Sequence, residues 1–115
     1  MQQRFRLRES SDFSRLRTEG RAHSHRLMTL SMAPNGLPHN RYGFITGKTL
    51  GKAVQRNRVR RLLREATRLL HPQLQPGYDV VLIARRPLVG QPFAEVQRIV
   101  HQLAKQAGLV EGGDA

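Results

Sequence analysis

The stretch Gly51–Leu70, GKAVQRNRVRRLLREATRLL, decides how the rest of the chain is read. At about 100° per residue, Arg56, Arg60, Arg64 and Arg68 fall along one side of a helix. Asn57 and Arg61 border that row, while Val59, Leu62, Leu63, Ala66, Leu69 and Leu70 gather on the opposite side. One side fits a protein core and the other fits negative charge. A solvated helix face ordinarily mixes signs, because Glu-to-Arg pairs one turn apart support the helix. Here Glu65 is the single acid among six arginines. A helix that accepts such repulsion reads as one whose counterions come from outside, that is, as a nucleic-acid contact.

The charge of the whole chain points the same way. Twenty Lys and Arg against eight Asp and Glu give a formal net charge of +12 over 115 residues, which fits a polyanionic partner. Between Glu19 and Glu65 there is no acidic residue, yet that window holds Arg21, Arg26, Arg41, Lys48, Lys52 and five arginines of the helix. Neutralising about six phosphates would make affinity fall roughly a thousandfold between 50 and 200 mM salt. Arginine far outnumbers lysine, which suits bidentate phosphate recognition and stacking on bases, although a biased genome produces the same preference. The absence of cysteine excludes disulfides, thiolate nucleophiles and Cys-based zinc sites. No apolar run approaches a membrane span, and the start MQQRFRLRESSDF lacks the apolar stretch of a secretion signal. A cytoplasmic protein without a membrane partner is the expectation.

The length fits one domain, 1–115, with residues 1–9 as an extended basic arm and 109–115 as a disordered tail. Ser10, Ser11 and Asp12 can cap a short helix that carries Phe13 and Leu16 and stops at Gly20. Leu27–Met32 reads as a strand, and Arg41–Thr46 as its hairpin partner across the loop APNGLPHN. Pro72 ends the basic helix. Tyr78–Ala84, nearly all apolar, reads as a central strand. After Pro92, helical spacing of Phe93, Val96, Val100, Leu103 and Ala107 runs to a stop at Gly108. The order helix, strand, strand, helix, strand, helix predicts an α/β layer with helices packed on a small sheet.

A catalytic reading finds little. The eight acids are scattered, and no two form a recognisable site for metal or acid–base work. Asp79 sits at the start of the apolar strand, and Glu65, amid arginines, fits an ion pair better. His23 and His25 could hold a metal only with a third ligand that nothing nearby supplies. Gly47-Lys48-Thr49 does not complete a phosphate-binding loop, since the first glycine of that motif would fall at Tyr42. Gly47 and Gly51 fit sharp turns beside the helix, whose N-terminus favours a phosphate near Lys52 and Arg56. Phe13, Tyr42 and Phe44 are the aromatics that could either stack on bases or pack in the core.

The run Gly51-Lys52-Ala53-Val54-Gln55-Arg56-Asn57-Arg58-Val59-Arg60-Arg61-Leu62-Leu63-Arg64-Glu65 closely resembles the signature of the bacterial ribonuclease P protein subunit. The likeness extends over roughly residues 4–108, with Asp12-Phe13 before a glycine and Tyr78-Asp79 opening an apolar strand that ends at Ala84-Arg85. The resemblance implies an α+β, two-layer fold: a small four-stranded sheet with three helices, ribosomal-protein-like, with a left-handed β-α-β crossover, where the general rule would give a right-handed one. It implies a partner, the catalytic RNA that removes 5′ leaders from precursor tRNA. The RNA would carry the chemistry with magnesium, and the protein would bind no cofactor, need no obligate protein partner and not be catalytic alone. By the same resemblance Lys48, Lys52, Arg56, Asn57, Arg58, Arg60, Arg61, Arg64 and Arg68 would bind RNA, and Phe13, Arg17, Leu30 and Phe44 would line the leader cleft. Arg17 and Leu30 stand where the family often has aromatics, and Thr49 where it often has a second lysine. Leader recognition would then lean more on charge.

Other readings are a ribosomal or general RNA-binding protein without a role in tRNA maturation, a DNA-binding protein, and a self-sufficient nuclease. No helix-turn-helix pair precedes the basic helix, and few of its side chains read bases, which weighs against DNA.

Overall fold

A computed structural model describes residues 6–7 and 10–110. In chain order the elements are α1 (Ser10–Glu19), β1 (Arg21–Ser24), β2 (Met28–Pro34), β3 (Arg41–Ile45), α2 (Ala53–Leu70), β4 (Tyr78–Ala84) and α3 (Phe93–Gln106). The strands form one mixed sheet in the order β1-β2-β4-β3. β4 pairs antiparallel with β2, Leu30 opposite Leu82, and parallel with β3, Phe44 opposite Leu82. The expected hairpin between β2 and β3 is therefore wrong: β4 lies between them. The reason is burial. YDVVLIA is apolar on both faces, with Asp79 through Leu82 all buried, so it takes the centre and gives one edge to each of the other two strands. β3, α2 and β4 make a β-α-β unit. β1, four residues without apolar alternation, leaves no mark in the hydrophobic pattern. It pairs antiparallel with β2 from Arg21↔Met32 to Ser24↔Thr29 and completes the four strands that the resemblance implied.

The sheet's two faces are unequal. Met28, Leu30, Met32, Tyr42, Val80, Leu82 and Ala84 point into the larger core, which receives Val59, Leu63, Ala66 and Leu70 from α2 and Val96, Ile99, Val100, Leu103 and Ala104 from α3. Against the other face, among the described residues, Leu7, Leu16, Ala33 and Val81 are buried, with Phe13 and Ile83 half-buried against them. A buried leucine contributes about 1.5–3 kcal/mol. α1, with Leu16 as its buried apolar side chain among the described residues, is weakly docked by that measure.

A polar tie supplements it. Asp79 is fully buried and accepts Arg41 Nε at 2.9 Å and Arg41 Nη2 at 2.8 Å, Asn35 Nδ2 at 3.0 Å, and Arg15 Nη2 from α1. Arg15 Nη1 also donates to the Pro34 carbonyl at 2.9 Å. Burial alone would raise the Asp79 carboxyl. The hydrogen bonds from Arg41 and Asn35 and the charges of Arg41 and Arg15 outweigh it and hold the group below the ordinary carboxylate value. Removing a partner from such a buried charge costs about 3–5 kcal/mol.

Two terminal expectations change. Leu7 is buried and its N–H donates to the Tyr42 carbonyl at 2.8 Å, with Arg6 bridged in parallel to Tyr42, so this part of the arm extends the β3 edge. The remainder of 1–9, apart from Arg6 and Leu7, lies outside the described residues. Leu109, expected to open a disordered tail, is 1% exposed and its carbonyl accepts the Gln75 N–H at 2.7 Å, while Val110 bridges Leu74. Residues 111–115 lie outside the described residues.

Candidate nucleic-acid interface

α2 begins after a sharp turn. Gly51 has φ 121°, and a Cβ there would collide with Gln55 Oε1, the same oxygen that accepts the Lys52 N–H at 3.0 Å. The first turn contains no acid, so the helix N-terminus keeps its partial positive charge beside exposed Lys48 and Lys52.

The arginines do not form one uniform stripe. Arg56, Arg60 and Arg64 are half-buried along the border between α2 and the β3 edge, whereas Arg58, Arg61 and Asn57 are exposed. Arg60 is held in place by Thr46 Oγ1 at 2.5 Å and Asn57 Oδ1 at 3.1 Å. Arg60 and Arg64 line a shallow groove with Arg6, Leu7, Tyr42, Gly43 and Phe44. Burial lowers the Arg64 pKa, and the nearby charges of Arg6, Arg60 and Arg61 lower it further. Among the described residues, Arg56, Arg58, Arg60, Arg61 and Arg64 have no carboxylate partner. Arg68 differs. Its guanidinium pairs with Glu65 at 3.0 and 2.6 Å, so it does not belong to the uncompensated row and Glu65 takes the ion-pair role expected of it. Thr67 rather than Leu69 completes the buried side; Leu69 is 42% exposed.

The second feature lies on the opposite sheet face. A cleft of about 250 Å³ runs between α1 and the sheet, lined by Phe13, Leu16, Arg17 and Gly20 on one side and Ala22, Thr29, Ser31, Ile45, Val81 and Ile83 on the other. Phe13 lies directly over Gly43: a Cβ on that glycine would come within 2.9 Å of the ring. Of the four side chains expected in the cleft, Phe13 and Arg17 line it, and Leu30 and Phe44 do not. Leu30 is 2% exposed in the larger core, and Phe44 packs against that same core on the groove side. The side chains missed were Ala22, Thr29, Ser31, Ile45 and Ile83. Their signal was available: in β2 the small or polar Thr29 and Ser31 alternate with Met28, Leu30 and Met32, which marks the less covered face.

His23 lies in β1 and His25 just beyond its end. His25 Nδ1 accepts the Leu27 N–H at 3.0 Å. Among the described residues no three His, Cys, Asp or Glu side chains stand close enough to hold a metal ion, and no helix is long and apolar enough to cross a membrane.

A family model described as Ribonuclease P matches residues 1–108. The ribonuclease P protein component of Roseiflexus sp. (strain RS-1) is 42% identical over 116 residues, covering 100% of this chain and 95% of that protein. That of Chloroflexus aggregans is 47% identical over 106 residues, covering 91% and 78%. Among solved structures, the RNase P protein of Staphylococcus aureus matches with a TM-score of 0.86 at 26% identity, over 93% of this chain and 98% of that one. The RNase P protein of Thermotoga maritima, solved with 1-(4-fluorophenyl)-2-thiourea, matches with a TM-score of 0.82 at 30% identity, over 88% and 98%.

Proposed function

The chain belongs to the ribonuclease P protein family, and from that premise we propose that its two faces hold two different RNAs. As a member it is the protein component of an endoribonuclease holoenzyme and acts with the RNA subunit in 5′ maturation of tRNA. In our reading the catalytic RNA lies against α2, with Lys48, Lys52, Arg56, Asn57, Arg58, Arg60, Arg61 and Arg64 on its phosphates. The single-stranded leader of precursor tRNA lies in the α1 cleft, its base against Phe13 and its phosphate near Arg17. Cleavage belongs to the RNA, with magnesium bound there, and the cytoplasm is the compartment.

The observation that carries this is the division of labour across one sheet. One face offers arginines without internal counterions. The other offers an apolar floor of Ile45, Val81 and Ile83 with an aromatic lid and one cation, a surface suited to a base and its phosphate.

Phe13→Ala tests it in the reconstituted holoenzyme. Binding of leader-bearing precursor should weaken by roughly 1–3 kcal/mol, the contribution of a stacked base, while mature tRNA binds as before. Equal weakening of both substrates would refute the cleft as the leader's place.

A further inference from the structure

The cleft's lid is held by one buried charge. α1 presents Phe13 and Arg17 to the cleft, yet among its described residues the apolar anchorage is Leu16 and the half-buried Phe13. Among its described residues Arg15 adds a polar attachment, two residues from Phe13 and two from Arg17. Arg15 reaches past the end of β2 at Pro34 to the buried Asp79 at the start of β4. The Asp79 carboxylate also binds Arg41 of β3 and Asn35 of the β2–β3 connection, so one group ties α1 to the elements that form the cleft floor. Glu19 lies 3.8 Å from Arg15 on the solvent side and is too exposed to compete.

We infer that Arg15 and Asp79 are positioning residues for the leader: their ion pair fixes the height and tilt of α1 over the sheet, and through it the gap between Phe13 and the Ile45–Ile83 floor. This deepens the cleft reading and rests on it. Neither residue lines the cleft. Their effect reaches the leader only through the helix, and a gap of about 0.5–1 Å already forfeits roughly a quarter to a half of a contact's attraction. α2 packs against the other side of the sheet and, among the described residues, makes no hydrogen bond to Arg15 or Asp79, so its exposed arginines should not sense the change.

Arg15→Gln removes the α1 half of the tie and leaves the Arg41–Asp79 fork intact. In the holoenzyme, the ratio of affinities for leader-bearing precursor and mature tRNA should fall by about tenfold, the order of one stacked base, with affinity for the catalytic RNA unchanged. Arg15→Lys, still able to reach the carboxylate, should restore most of the ratio. The chain has no cysteine, so spin labels on Ser14→Cys and Ala22→Cys report the gap directly, and their distance distribution should broaden in Arg15→Gln. An unchanged distribution, or an unchanged ratio where Phe13→Ala lowers it, overturns the positioning role. A ratio that Phe13→Ala also leaves unchanged overturns the cleft reading beneath it.

Discussion

Phe13 and Gly43 form the smallest unit of the proposed leader site. The ring occupies the space a side chain at 43 would take, so the absence of a Cβ there is a packing feature and, under the proposed reading, a binding one. Gly43→Ala should cost about 1–3 kcal/mol of stability, the usual penalty for overfilling a packed interior, seen as a lower denaturant midpoint. The same variant should weaken binding of leader-bearing precursor more than binding of the catalytic RNA, since the added methyl meets the Phe13 ring. A second residue-scale device sits at His71. Tyr42 Oη lies 2.6 Å from His71 Nδ1 and accepts from Asn40 Nδ2 at 3.2 Å. Burial pushes the Tyr42 hydroxyl up to about 12, partly offset by the Asn40 hydrogen bond, so the phenol keeps its proton beside the imidazole. Burial, and then the charge of His39, lower the His71 pKa below its ordinary value. Protonation therefore favours the unfolded chain. Stability should be level above the ordinary histidine value of about 6.5 and fall as pH drops below it, until the depressed folded value is passed. Thermal melts between pH 8 and 5 check this, and His71→Gln should flatten that part of the profile.

At the scale of elements, α2 shows what sequence can reveal. Its 3.6-residue spacing separates a buried side from a basic one, and Val59, Leu63, Ala66 and Leu70 are buried as that spacing requires. Which arginine keeps its charge available is not legible in the spacing, because the Glu65–Arg68 pair depends on rotamers one turn apart. The distinction has a consequence. Arg60→Ala or Arg64→Ala should reduce the salt slope of assembly with the catalytic RNA by about one unit for each phosphate left unneutralised. Arg68→Ala, already paired, should change it less. Filter binding across a salt series separates the two groups. Strands are less legible for physical reasons. Asn35 and Gly36 look like a tight hairpin, yet strand order is set by which strand must be covered on both faces, a global property that no local turn encodes. β1 is recognisable only through its partner, since RAHS has no apolar alternation. Placing Leu30 and Phe44 in the cleft runs against the period-2 rule. Their neighbours Thr29, Ser31 and Gly43 are the smaller side chains and face the thinner layer.

For the molecule as a whole, the account is that one sheet separates two RNA contacts, and that the protein arranges what the RNA subunit cuts. Charge leads to that expectation on its own, because +12 without a catalytic constellation favours binding over chemistry. Charge also leaves ribosomal and other RNA partners open, and it does not say that the α1 cleft and the packed side of α2 lie on opposite faces of the sheet. That geometry comes from the parity of β2, β3 and β4.

The most direct test uses the absence of native cysteine. An iron chelate that generates hydroxyl radicals is tethered at Val54→Cys, 79% exposed on the first turn of α2, or at Ala22→Cys, exposed on the cleft's β1 side. With the holoenzyme bound to precursor tRNA, the Val54 probe should cut the catalytic RNA and the Ala22 probe should cut the leader. Leader cleavage from Val54 with catalytic-RNA cleavage from Ala22, or both RNAs cut equally from both positions, would contradict the two-faced arrangement.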